Sequence, residues 1–191
     1  MFKQVFGSAI GRRAFIAPQS RSFARFFSSA EQPRIRIGSQ APDFTADTTQ
    51  GKINFHEWIG NDWVILFSHP ADFTPVCTTE LGAFARLAPE FAKRNAKLIG
   101  LSTEGVDLHN KWIKDIEDVA SDGNKFSYPI IADSDKEVAF KYDMLTEQEF
   151  QNINQGMVHT VSTVFVIDPK KTVSLTFPYP ASTSRNSAEV F

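Results

Sequence analysis

The chain has 191 residues, 42% of them hydrophobic, which suits one domain with a substantial core, and its 18 Phe imply heavy aromatic packing. The net charge of −2 conceals an asymmetry: residues 1–30 hold Lys3, Arg12, Arg13, Arg21 and Arg25 and no acid, which leaves 15 basic against 22 acidic residues, or −7, in the rest. An acidic body excludes nonspecific nucleic-acid binding, no apolar run is long enough for membrane insertion, and one cysteine excludes an intramolecular disulfide scaffold and suits a reducing compartment.

Residues 1–28 read as a transit peptide with a mitochondrial, matrix address. They are basic, free of acids, rich in Ser, and punctuated by Phe2, Phe6, Phe15, Phe23, Phe26 and Phe27. Arg12-Arg13 and Arg21 interrupt any stretch apolar enough for a secretory signal. Arg25-Phe26-Phe27-Ser28 is similar to a matrix-processing site and places the mature start near Ser28.

Residues 33–191 read as a single domain in which strands and helices alternate. Val64-Ile65-Leu66-Phe67 is wholly apolar, as expected of a strand covered on both faces. Leu81, Phe84, Leu87, Ala88 and Phe91 then recur at helical spacing, with Pro89 expected to kink or shorten the helix. Leu98-Ile99-Gly100-Leu101 predicts a second strand. Trp112, Ile113, Ile116 and Val119 predict a second helix, and Val138, Ala139 and Tyr142 a third. Val164-Phe165-Val166-Ile167 predicts another strand, followed by a turn at Asp168-Pro169-Lys170-Lys171 into a further strand. Trp58 and Trp63 read as core aromatics bracketing a turn. The alternation implies an α/β fold with helices on both faces of the sheet.

The one cysteine, Cys77, follows the first strand in Ser68-His69-Pro70-Ala71-Asp72-Phe73-Thr74-Pro75-Val76-Cys77-Thr78-Thr79-Glu80. Thr74 suits an N-cap and Pro75 the first helical position, where a missing N–H costs nothing. Cys77 then falls in the first helical turn, where unpaired N–H groups and the helix dipole favour a thiolate. Free cysteine is also a common inert core residue, so the residues alone leave both readings open. His56, His69, His109 and His159 have no metal-ligand spacing, and no phosphate-binding glycine loop is present, so no cofactor or metal is expected.

Pro70-x-x-x-Thr74-x-x-Cys77 resembles the active-site signature of peroxiredoxins, and the run through Thr78-Thr79-Glu80-Leu81-Gly82 resembles their 1-Cys, Prx6-type subfamily. Ala41-Pro42-Asp43-Phe44, Tyr128-Pro129-Ile130-Ile131-Ala132-Asp133, Phe165-Val166-Ile167-Asp168-Pro169-Lys170 and Tyr179-Pro180-Ala181 extend the likeness, and the leader adds a likeness to mitochondrial fungal members. The resemblance implies a thioredoxin-like fold with a central mixed sheet, and thiol-dependent reduction of hydrogen peroxide and organic hydroperoxides. It makes Cys77 the peroxidatic nucleophile. Thr74 orients the peroxide, Pro70 shields the pocket, Glu80 holds an arginine in place, and His69 has a secondary role beside the pocket. With no resolving cysteine, reduction falls to an external thiol, glutathione or a thioredoxin-type protein.

Three departures from the pattern stand out. Ser162 occupies the position of an arginine that contacts thiolate and peroxide in the family. The second family arginine is kept as Arg185, but Ser184 replaces the glycine before it. The chain stops at Phe191, where the family continues into a helix and a C-terminal arm that builds dimer contacts, so a homodimer is expected to be weakened. The competing reading is a catalytically weak relative acting as a redox sensor, holdase or heterodimer partner.

Overall fold

The computed structural model describes residues 34–154, 158–179 and 190. The expected transit peptide, Ser184 and Arg185 lie outside the described residues.

The sheet starts with a hairpin of β1 (Thr45–Thr48) and β2 (Gly51–Asn54). The Thr48 hydroxyl accepts from Gln50 N–H and donates to Gly51 O, and Gly51 takes φ +101, which closes the turn. A short helix α1 (Phe55–Ile59) leads to β3 (Trp63–Ser68), the expected apolar strand. Next come α2 (Pro75–Ala92), β4 (Ala96–Ser102), α3 (Val106–Val119) and β5 (Ile130–Ala132). Two five-residue helices, α4 (Glu137–Lys141) and α5 (Glu147–Gln151), precede β6 (Ser162–Ile167) and β7 (Val173–Tyr179). The sheet is mixed, in the order β2-β1-β5-β4-β3-β6-β7, with β4 parallel to β3 and β5 and the other neighbours antiparallel. Among the described residues no helix is long and apolar enough to cross a membrane.

Side chains alternate across the sheet, so each central strand feeds two cores. Ile65, Phe67 and Val164 join Leu81, Phe84, Trp112 and Ile116 of α2 and α3 on one face. Phe67 stacks on Phe84 at 4.4 Å between ring centroids. On the other face Phe165 meets Tyr142 at 5.5 Å, and Tyr142 abuts Phe44 and Phe55. Helices therefore cover both faces, as the alternating pattern implies.

Three details refine the sequence reading, and the one at Trp58 and Trp63 corrects it. Pro89 sits inside α2 and the helix continues past it to Ala92. Trp63 is exposed, because it opens β3 at the sheet's rim, and Trp58 is half-buried beneath the Lys97 ammonium. Val119 lies in α3, as its spacing predicts, but as the helix's last residue it is 75% exposed.

Candidate active site

The start of α2 is built as its residues dictate. Thr74 is the N-cap with extended backbone (φ −83, ψ 140), and its hydroxyl accepts from Cys77 N–H at 3.3 Å and donates to Ala71 O at 3.3 Å. Pro75 takes the first helical position, and Cys77 is third in the helix and buried. The positive end of the helix dipole favours negative charge there. Glu80 is buried one turn further along. Phe73, at φ 58, and Val76 are each nearly half exposed, giving the mouth of this turn an apolar rim.

The loop between β3 and α2 is pinned from three sides. The segment before β6 runs along it: Thr160 Oγ1 donates to His69 O at 2.8 Å, and His159 Nδ1–H donates to Pro70 O at 3.0 Å. Ser68 Oγ donates to Val161 O and accepts from Thr163 N–H. Ser162, whose position matters for the expected arginine, opens β6 as a buried residue paired with Tyr179.

From α3 and the turn before it come His109, Trp112 and Glu104. Asp72 accepts from both imidazoles, His69 Nε2 to Oδ1 at 2.7 Å and His109 Nδ1 to Oδ2 at 2.6 Å. Its backbone N–H donates to Glu104 Oε1 at 3.1 Å, and Ser102 Oγ donates to Glu104 Oε2. The His69 ring lies 4.9 Å from the Trp112 ring, and Trp112 Nε1–H donates to Thr78 Oγ1 at 3.0 Å. Burial would raise the Asp72 carboxyl, but the bonds from His109 and His69 outweigh it and hold it below its ordinary value. Burial lowers His69 against the opposing pull of Asp72. The donor atoms of His69, Asp72 and Glu104 lie within 4.8 Å of one another, a convergence that spacing along the chain did not show. They are engaged in hydrogen bonds to each other and to Ser102.

The structure therefore places Pro70, Thr74, Cys77, Glu80 and His69 on one loop and the helix it feeds, while Arg185 lies outside the described residues. Sequence reading missed Asp72, Glu104 and the engagement of His109. The Asp72–His109 bond joins residues 37 positions apart, and nothing local marks it.

Residues 37–176 match the model of the AhpC/TSA family. The chain is 50% identical over 204 residues to "Peroxiredoxin PRX1, mitochondrial" of Saccharomyces cerevisiae, covering all of this chain and 78% of that one. It is 51% identical over 160 residues to peroxiredoxin-6 of Gallus gallus, covering 83% of this chain and 70% of the relative. Among solved structures, a yeast mitochondrial 1-Cys peroxiredoxin, described with thiol resolution through glutathione/thioredoxin systems, superposes with a TM-score of 0.74 at 54% identity, over 82% of this chain and 73% of that one. A cysteine-to-serine mutant of the peroxiredoxin 6 of Arenicola marina gives 0.76 at 44% identity, over 82% and 70%.

Proposed function

The chain belongs to the AhpC/TSA family, as a thiol peroxidase of its 1-Cys peroxiredoxin branch, and from that premise we propose that Cys77 is its peroxidatic residue. The placement of Cys77 at a Thr74-capped, Pro75-led helix start supports this best. The thiolate attacks one oxygen of the peroxide and the O–O bond breaks. Sulfur gives up two electrons and becomes a sulfenic acid, and the other oxygen leaves as water or an alcohol. An external thiol then condenses with the sulfenic acid, releasing water, and a second thiol reduces the resulting mixed disulfide. Glutathione or a thioredoxin-type protein supplies these thiols, and the mitochondrial matrix is the site of action.

Thr74 holds the first turn in register, and its hydroxyl can turn from Ala71 O toward an incoming oxygen. Pro70 keeps the loop stiff and, through its carbonyl, tied to His159. Glu80 and Arg185 supply the charged support. The decisive measurement is hydrogen peroxide consumption by the purified full-length chain with glutathione or with a thioredoxin system. Turnover that survives Cys77→Ser unchanged sinks the assignment.

Ser162 supports a second, slower reading. A neutral serine stands where the family resemblance puts a cation, and losing one preorganised donor costs about two to three powers of ten in rate. Such a chain would act as a redox sensor rather than a bulk scavenger. Ser162→Arg should raise the rate of Cys77 oxidation by about that factor. No change on that substitution removes the slow reading.

A further inference from the structure

Among the described residues seven large apolar side chains are well exposed, and two of them lead directly into Cys77. Phe73 is 47% exposed and Val76 46%. The Phe73 ring lies 6.3 Å from that of Trp112, and Leu108, 39% exposed, extends the patch one turn along α3 from Trp112. The other four stand singly: Ile37 ahead of β1, Trp63 at the far end of β3, Val119 at the end of α3 and Leu175 on β7. Single apolar residues are ordinary on a surface, whereas a patch of them is what an interaction site presents.

Phe73 carries a second cost. It is a bulky residue at φ 58, a left-handed conformation that such side chains avoid. A residue of this kind persists only where its surroundings over-determine it. Both of its neighbours are fixed. Asp72 accepts from His69 and His109, and its N–H donates to Glu104. Thr74 caps α2 through Cys77 N–H and reaches back across Phe73 to Ala71 O. The buried bonds between this loop and α3 therefore hold an aromatic ring outward, against both its backbone preference and the hydrophobic effect.

We propose that Phe73 is a specificity-determining residue of the reductive half-reaction, an anchor that favours a protein dithiol of the thioredoxin class over glutathione. The inference rests on the peroxidase reading above and names the partner of that site. The chain has one cysteine, so both reducing thiols come from outside and reach a buried sulfur across this rim. A protein whose reactive thiol stands among apolar side chains covers Phe73 and Val76 as it docks, and an aromatic anchor carries a large share of the energy of such a contact. Glutathione is small, charged and strongly hydrated, and has little apolar surface to set against the ring. The first thiol of the docked partner condenses with the Cys77 sulfenic acid, forming a sulfur–sulfur bond and releasing water. Its second thiol attacks the partner's own sulfur and gives up its proton to Cys77, which is released as a thiol. The partner, oxidised by two electrons, leaves as a disulfide.

The test measures hydrogen peroxide turnover by the full-length chain with two reductants, thioredoxin with its reductase and NADPH, and glutathione. Phe73→Ala should lower kcat/KM for thioredoxin about tenfold more than it lowers kcat/KM for glutathione, and Val76→Ala should shift the ratio the same way by less. Phe73→Tyr keeps an aromatic ring and should retain most of the wild-type ratio. Phe73→Gly separates the ring from the fold. Glycine adopts φ 58 freely, so this variant should melt at or above the temperature of Phe73→Ala and still show the loss with thioredoxin. Equal losses with the two reductants, or an unchanged ratio, overturn the proposal. So does a loss seen only when cumene hydroperoxide replaces hydrogen peroxide, which assigns the ring to the organic group of the substrate. Self-association of the wild type that Phe73→Ala abolishes overturns it too, by assigning the ring to a second copy of the chain. A wild-type chain that consumes no peroxide with either reductant refutes the peroxidase reading itself. Turnover with both reductants and an unmoved ratio refutes only the anchor.

Discussion

Replacing Gly82 by alanine should destabilise the chain, although helix propensity alone favours alanine in a helix interior by about 1 kcal/mol. Gly82 lies where α2 crosses the end of α3. A Cβ built there meets Ala120 Cβ and Ala120 O at 2.5 Å and Ala120 C at 2.7 Å. Two of those three atoms are backbone, so no side-chain rotation relieves the contact. The helices must separate by about 1 Å to reach ordinary van der Waals distance. That shift also disturbs the bond from Arg86 Nη1 to Ala120 O. Overpacking of this kind costs about 3 kcal/mol at the upper end of its usual range, which leaves a net loss of about 2 kcal/mol. For a domain of this size the loss lowers Tm by about 4–8 °C. Thermal denaturation followed by circular dichroism reads it directly. A Gly82→Ala variant that melts at or above the wild-type temperature refutes the argument from close helix approach.

Thr74→Val keeps the shape of the cap residue and removes its hydroxyl, so the Cys77 N–H loses its acceptor; stability should fall by about 1 kcal/mol, with Thr74→Ser close to wild type in urea unfolding. Trp112→Phe retains a ring against His69 but leaves Thr78 Oγ1 without its donor, and should cost about 1 kcal/mol in the same assay. The chain should also lose stability in acid. Asp72 is held below its ordinary carboxyl value in the folded state, so its contribution is present above about pH 4 and is lost as pH falls below that. His69 adds to the trend: its folded-state value is depressed, so the unfolded chain gains a proton that the folded one refuses once pH falls below 6.5. Urea midpoints measured across pH should drop in two stages for wild type, and Asp72→Asn should lack the lower one.

The central strands were legible because both of their faces are buried. Val64–Phe67, Leu98–Leu101 and Val164–Ile167 carry uninterrupted apolar runs, and they form the middle of the sheet. The β1–β2 hairpin left no such run, since it lies at the edge and most of its residues meet solvent. β5 has only three residues, and α1, α4 and α5 five each, too few to establish a period, although Val138, Ala139 and Tyr142 did mark α4. At the site, local chemistry was readable. The Thr74 cap, Pro75 and Cys77 lie within four consecutive residues, and their geometry follows from backbone hydrogen bonding. The Asp72 network was not readable, because His109 reaches it from α3 and Glu104 from the preceding turn. Each of those residues, taken alone in the sequence, looks like an ordinary polar residue on a helix or loop.

Trp112 gives the molecule a built-in optical gauge. It is the one indole of three that is fully buried, while Trp63 is exposed and Trp58 half-buried. Its ring faces His69 and its N–H holds Thr78, so a change of charge on that imidazole, or a shift in the first turn of α2, alters the polarity and quenching around a single fluorophore. Stopped-flow emission would then follow each oxidation and reduction cycle of Cys77 without a label, with the outer indoles as a constant background.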